Sequence, residues 1–136
     1  MAATQTACAL SEQAREILKS RAMAHIAFLA PDGRPHSTPV WVDLDDGALV
    51  MNTATERVKG HALQPGTPVA LSATHPENPY EYVQVRGEVG ERTTEGADEQ
   101  IDRLARKYLG VETYPYRQPG EERVTIKIRV LETTGS

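Results

Sequence analysis

Turn signals recur at short intervals between residues 31 and 79, and that spacing limits the fold more than any other feature of the sequence. The apolar run Met23–Ala30 stops at Pro31-Asp32-Gly33-Arg34. Proline presets φ there, and glycine takes the positive φ that other residues resist. His36–Leu44 reads as a second strand and Ala48–Thr53 as a third, with Asp45-Asp46-Gly47 between them suited to a type I′ hairpin. These three are expected to form a meander. Thr67–Thr74 follows the stop Gln64-Pro65-Gly66, and after the Pro-rich bend His75–Pro79 comes the long run Tyr80–Arg92. Gly87 sits in the middle of that run, where glycine marks a bulge or a barrel corner. The last run, Arg123–Leu131, sets Val124, Ile126, Ile128 and Val130 against Thr125, Lys127 and Arg129, the period of a half-buried strand.

Two segments carry the other period. Ser11 caps a helix whose first turns hold Glu12 and Glu16, where the helix dipole favours negative charge. Ala14, Ile17 and Leu18 form its buried face. Gly96–Leu109 is a second helix, with Ile101, Leu104, Ala105, Tyr108 and Leu109 on the buried stripe and Glu99, Arg103 and Arg106 toward solvent. Thr55–Leu63 has room for one or two helical turns, and Gly110–Glu122, rich in proline, tyrosine and glycine, is a loop. About six antiparallel strands with two or three helices give a mainly β domain over residues 1–136. A small barrel hides its strand edges, and a two-sheet sandwich satisfies the same pattern.

With 136 residues the chain has enough length for one core without disulfide or metal. Its single cysteine, Cys8, has no intramolecular partner, which fits a reducing cytoplasm. A net charge of −4 and a pI near 5.6 argue against a nucleic-acid binder held by phosphate contacts. No apolar run approaches the roughly 20 residues that cross a bilayer, and the first residues lack the basic start of a secretory signal. The expectation is a cytoplasmic protein with neither nucleic-acid nor membrane partners.

The stretch Met51-Asn52-Thr53-Ala54-Thr55-Glu56-Arg57-Val58-Lys59-Gly60 is the most informative for chemistry. A strand ends at Thr53, then hydroxyls and two cations lead into a helical turn. Backbone N–H groups, hydroxyls, the planar fork of Arg57 and the point charge of Lys59 together suit an anion. The plainer reading is two cations solvating a surface helix. His25, His36, His61 and His75 never stand at metal-ligand spacing, so no metal is expected, and no nucleophile elbow or triad is visible. Trp41, the only tryptophan, reads by itself as a core anchor.

This stretch, with STPVWVDLDDG before it, GTPVALSA after it, and then NPYEYVQVRGEV, IDRLARKYLG and YPYRQPGEERV, resembles the pyridoxamine 5'-phosphate oxidase-like split-barrel superfamily. It looks closest to the deazaflavin-dependent branch, whose small reductases use coenzyme F420. In the oxidase branch Arg and Lys are adjacent; here Val58 separates Arg57 from Lys59, which favours the deazaflavin branch over the branch that binds FMN.

The resemblance implies a split antiparallel β-barrel, an FMN-binding-like fold, that pairs as a homodimer with cofactor sites at the interface. By position, Thr53, Thr55, Arg57 and Lys59 would hold the cofactor phosphate, with Asn52 and Gly60 in the same stretch. Pro39, Val40 and Trp41 would lie along the ring system, and Tyr82, Tyr114 and Tyr116 would reach the ring or tail. The implied function is an oxidoreductase that moves a hydride from reduced F420 to an unsaturated or quinone-like small-molecule acceptor. The alternatives are an FMN-dependent oxidase or flavin reductase, and a non-catalytic carrier or sensor. No catalytic residue is assigned: the cofactor would carry the chemistry, and the protein would orient it.

Overall fold

The computed structural model describes residues 9–135; Cys8 lies outside them. In chain order the elements are α1 (Glu12–Lys19), β1 (Ala24–Leu29), β2 (Pro35–Val40), β3 (Asp43–Asp45), β4 (Ala48–Ala54), α2 (Val58–Ala62), β5 (Pro68–His75), β6 (Asn78–Thr93), α3 (Ala97–Leu109) and β7 (Arg123–Gly135). The local chemistry places several of these. Ser11 Oγ accepts the Ala14 N–H at 3.1 Å and caps α1, whose Ala14, Ile17 and Leu18 are buried. Burying Ile17 and Leu18, each without exposed surface, contributes about 1.5–3 kcal/mol per side chain. Asp46 and Gly47 both take positive φ, 50° and 81°, as the two-residue type I′ turn between β3 and β4 requires. Gly87 sits at a register shift between β6 and β7, and a Cβ there would meet the Arg129 carbonyl oxygen.

All seven strands form one antiparallel sheet in the order β2-β1-β5-β6-β7-β4-β3. The two edge strands, β2 and β3, are consecutive in the chain and joined only by Trp41 and Val42. Three Cα steps span at most about 11 Å, so the sheet must curl until its edges face each other. The result is a mainly β split barrel with three helices among the described residues. Its interior holds Ile26, Met51, Leu71, Val85 and Ile126, all essentially without exposed surface. No helix among the described residues is long and apolar enough to cross a membrane.

This topology corrects the meander. The run 36–44 is not one strand: its first part pairs with β1 and its last part with β4, at opposite edges of the sheet. At the crossing, Val42 has no strand partner for its backbone, and α3 supplies one. The Val42 N–H donates to Tyr108 Oη at 3.2 Å, and Lys107 Nζ donates to the Val42 carbonyl. Lys107 also donates to the Leu18 carbonyl at 2.7 Å, so the end of α3 fastens α1 to the split.

Two smaller expectations also change. Leu109 is 41% exposed, because α3 ends there and its last turn clears the sheet. The start of β7 is buried on both faces, Arg123 and Thr125 included, because α3 covers the face that alternation assigns to solvent.

Candidate functional site

A cleft of about 270 Å³ opens between the end of β2, the end of β4, α3 and the loop 110–122. Of the residues singled out in the sequence, Pro39, Val40, Trp41, Asn52, Thr53, Arg57, Lys59, Tyr114 and Tyr116 line it. The fold brings them together from four separate segments. Met23, Ile101, Leu104 and Arg123 line it as well, and sequence reasoning did not assign them to a site. Ile101 and Leu104 were legible only as the buried stripe of a helix.

Part of the cleft lining is cationic. Lys59 Nζ donates to Thr38 Oγ1 at 3.1 Å, which ties α2 to β2. Burial and the neighbouring Arg57 charge both lower the Lys59 pKa. Among the described residues no carboxylate stands within ion-pair distance of Arg57 or Lys59. Two cations side by side, neither in a direct ion pair, make a place where an anion is stabilised.

Another part of the lining is aromatic. Trp41 stacks on Tyr108 with centroids 5.4 Å apart and planes 6° from parallel. Tyr114 meets the Trp41 indole edge-on at 6.0 Å, and Tyr116 meets Tyr114 edge-on at 5.7 Å. The loop carrying both tyrosines is fastened to α3: Asp102 Oδ1 accepts the Tyr114 N–H and the Arg117 guanidinium, both at 2.8 Å. Arg117 also reaches Asp98 at 3.0 Å.

A polar chain runs from the cleft lining into the fold. Asn52 Nδ2 donates to the Ala97 carbonyl and to Gln100 Oε1, and Asn52 Oδ1 accepts from Arg123 Nε at 2.9 Å. Arg123 Nη1 donates to Glu121 Oε1. Burial raises the Glu121 pKa, but the Arg123 hydrogen bond and charge, with the Gln118 N–H and Arg57, outweigh it and leave the carboxyl below its ordinary value. The Asn52 amide is therefore occupied in holding α3 and Arg123.

Three expected site residues stand outside the cleft lining. Thr55 donates its N–H to the Glu122 carbonyl and sets its hydroxyl 3.4 Å from Glu56 Oε2. Gly60 serves close packing: a Cβ would fall 2.2 Å from the Ala54 carbonyl oxygen and 2.6 Å from that of Thr55. Tyr82 stands on the outward face of β6, 41% exposed, beside Met23 in a neighbouring depression. Of the three tyrosines expected to reach the ring or tail, Tyr114 and Tyr116 line the cleft and Tyr82 does not. Among the described residues no three His, Cys, Asp or Glu side chains converge as metal ligands.

Comparison with solved structures gives similar folds. An F420 reductase superposes with a TM-score of 0.77 over 92% of this chain and 98% of its own, at 29% identity. A conserved hypothetical protein of Mycobacterium tuberculosis matches at 0.72, 21% identity, over 97% and 89%. A heme binding protein of Mycobacterium smegmatis matches at 0.65, 21% identity, over 92% and 52%. No curated protein matches the chain in sequence. The family model for pyridoxamine 5'-phosphate oxidase matches residues 10–135, nearly the whole chain, and the protein belongs to that family.

Proposed function

We propose that this protein is an oxidoreductase that holds coenzyme F420 in the cleft and passes a hydride to an unsaturated or quinone-like acceptor. The observation that carries the reading is the make-up of one cleft, whose lining joins Arg57 and Lys59, neither in an ion pair among the described residues, with Trp41, Tyr114 and Tyr116. A coenzyme with a phosphate and a flat conjugated ring matches both parts of the lining. The 29% identity to an F420 reductase over nearly all of both chains supports the choice of deazaflavin.

The residues divide the work. Arg57 and Lys59 bind the phosphate, with buried Thr53 beside them. Pro39, Val40 and Trp41 lie along the ring. Reduced F420 supplies the hydride. The chain contributes orientation and exclusion of water, since hydride transfer needs donor and acceptor carbons about 3–3.5 Å apart in an aligned pair. The volume of about 270 Å³ encloses a ring-sized body, so the remainder of the coenzyme extends past the cleft mouth.

We further propose a homodimer. The outward face of β1, β2, β5 and β6 presents Ala27, Ser37, Ala70 and Ser72, with Met23, Leu29 and Tyr82 exposed around them. Met23 lines both the cleft and the depression that holds Tyr82, so a second copy seated on this face stands next to the cleft.

A fluorescence titration with F420, run beside one with FMN, tests the reading. Micromolar or tighter F420 binding with weak FMN binding is the expected result. Preference for FMN moves the function to the flavin chemistry of the same fold, and binding of neither removes the enzyme reading. Turnover with a panel of quinones and enones then separates a reductase from a carrier.

A further inference from the structure

Arg123 is a buried guanidinium at the first position of β7, 6% exposed, and it touches β4 and two points of the loop 110–122. Its Nε reaches Asn52 on β4 at 2.9 Å, and through Asn52 the first turn of α3 at Ala97 and Gln100. Its Nη1 holds Glu121 at the end of the loop 110–122. Its Cζ lies 5.1 Å over the Tyr114 ring. Tyr114 in turn makes edge-on contacts with both Trp41 and Tyr116.

We infer that Arg123 is the positioning residue that sets the aromatic wall of the cleft, acting through Tyr114; the inference rests on the cleft being the ring-binding site proposed above. The fork geometry is what allows it. A guanidinium donates in two directions within its plane while offering its flat face to an aromatic ring, whereas an ammonium on the same stem does neither at once. Its charge is answered by Glu121, so Arg123 adds order to the wall while Arg57 and Lys59 hold the anion.

The single tryptophan makes this measurable without any cofactor, because Trp41 is part of the wall. In Arg123→Met and Arg123→Lys, Trp41 emission of the free protein should move to longer wavelength and acrylamide quenching should rise. F420 affinity should fall roughly ten-fold. Failure of Lys to rescue is part of the expectation. Met leaves Glu121 buried and unpaired, so the double variant Arg123→Met with Glu121→Gln guards against simple unfolding and should show the same Trp41 shift. Wild-type emission and quenching in the folded double variant overturn the inference, and so does full rescue by lysine. If wild-type protein binds no F420, the proposed function falls, while the Trp41 readout still decides what Arg123 does to the wall.

Discussion

The Trp41 indole lies flat against the Tyr108 ring, 5.4 Å between centroids, and the Tyr108 hydroxyl is itself bonded to the backbone at the crossing between β2 and β3 and just before β1. It accepts the Val42 N–H at 3.2 Å and donates to the Ala22 carbonyl at 2.7 Å. The wall of the cleft and the closure of the barrel therefore share one side chain.

Tyr108→Phe keeps the ring against Trp41 and removes the hydroxyl. The Val42 N–H, in a residue without exposed surface, and the Ala22 carbonyl are then left unpaired. The expected cost is about 1–3 kcal/mol, read as a lower midpoint in urea unfolding with an unchanged slope. An unchanged midpoint would mean that the split is held by other contacts.

Lys107 gives stability a defined pH dependence. Burial, opposed by Asp43 and aided by Lys19, lowers its pKa from 10.5 to about 8. Between those values the unfolded chain binds more protons than the folded one, so this group makes stability rise with pH across the window. The gain is complete above 10.5 and disappears as pH falls through about 8. Tyr108, whose pKa is raised mainly by burial, acts oppositely above 10, so the reading belongs between pH 8 and 10. Thermal unfolding of wild type and Lys107→Met over that range should show a shallower rise in the variant. Parallel curves would remove Lys107 as the source.

Gly60→Ala asks α2 to move. The added methyl carbon would sit 2.2 Å from the Ala54 carbonyl oxygen, a backbone atom that cannot rotate away. Arg92 clamps the same helix by donating to the Gly60 and Leu63 carbonyls, both at 2.8 Å. The expected loss is about 1–3 kcal/mol or more of stability, with weakened F420 binding as Lys59 is displaced. A variant with wild-type stability would show that α2 has slack at this contact.

Static light scattering should give twice the 14.9 kDa chain mass. Leu29, 62% exposed on the outward face of β1, is the residue to change. Leu29→Asp places a charge in the proposed interface and should yield folded monomer. A monomeric wild-type protein contradicts the homodimer.

What the sequence disclosed was local. The Ser11 cap, the Asp46-Gly47 turn and the alternation from Ile126 to Val130 each depend on a few neighbouring residues, and each stands in the structure. The split of 36–44 was not visible, because Val40, Val42 and Leu44 keep the same two-residue period while the partner strand changes from β1 to β4. A period reports which face is buried, not which strand lies alongside. Arg123 was hidden for the same reason. Alternation gives its side of β7 to solvent, and only the long-range cover of α3 and the loop 110–122 buries it. The cleft residues most open to reading, Arg57 and Lys59, belong to one short stretch of unusual composition.

Lys59→Ala is the sharpest test of that stretch. The ammonium donates to the neutral Thr38 hydroxyl and meets no carboxylate, so its removal costs the fold one modest hydrogen bond, about 0.5–1.5 kcal/mol. Against an anion the same group makes a charge-assisted bond worth about 1.5–3 kcal/mol, or roughly 10- to 100-fold in affinity. Binding should therefore fall much further than stability. Titrating the variant with F420 and with inorganic phosphate separates the contributions: both should weaken if Lys59 grips the phosphate. Loss for F420 alone would move Lys59 to another part of the coenzyme, and unchanged affinity for both would remove it from the site.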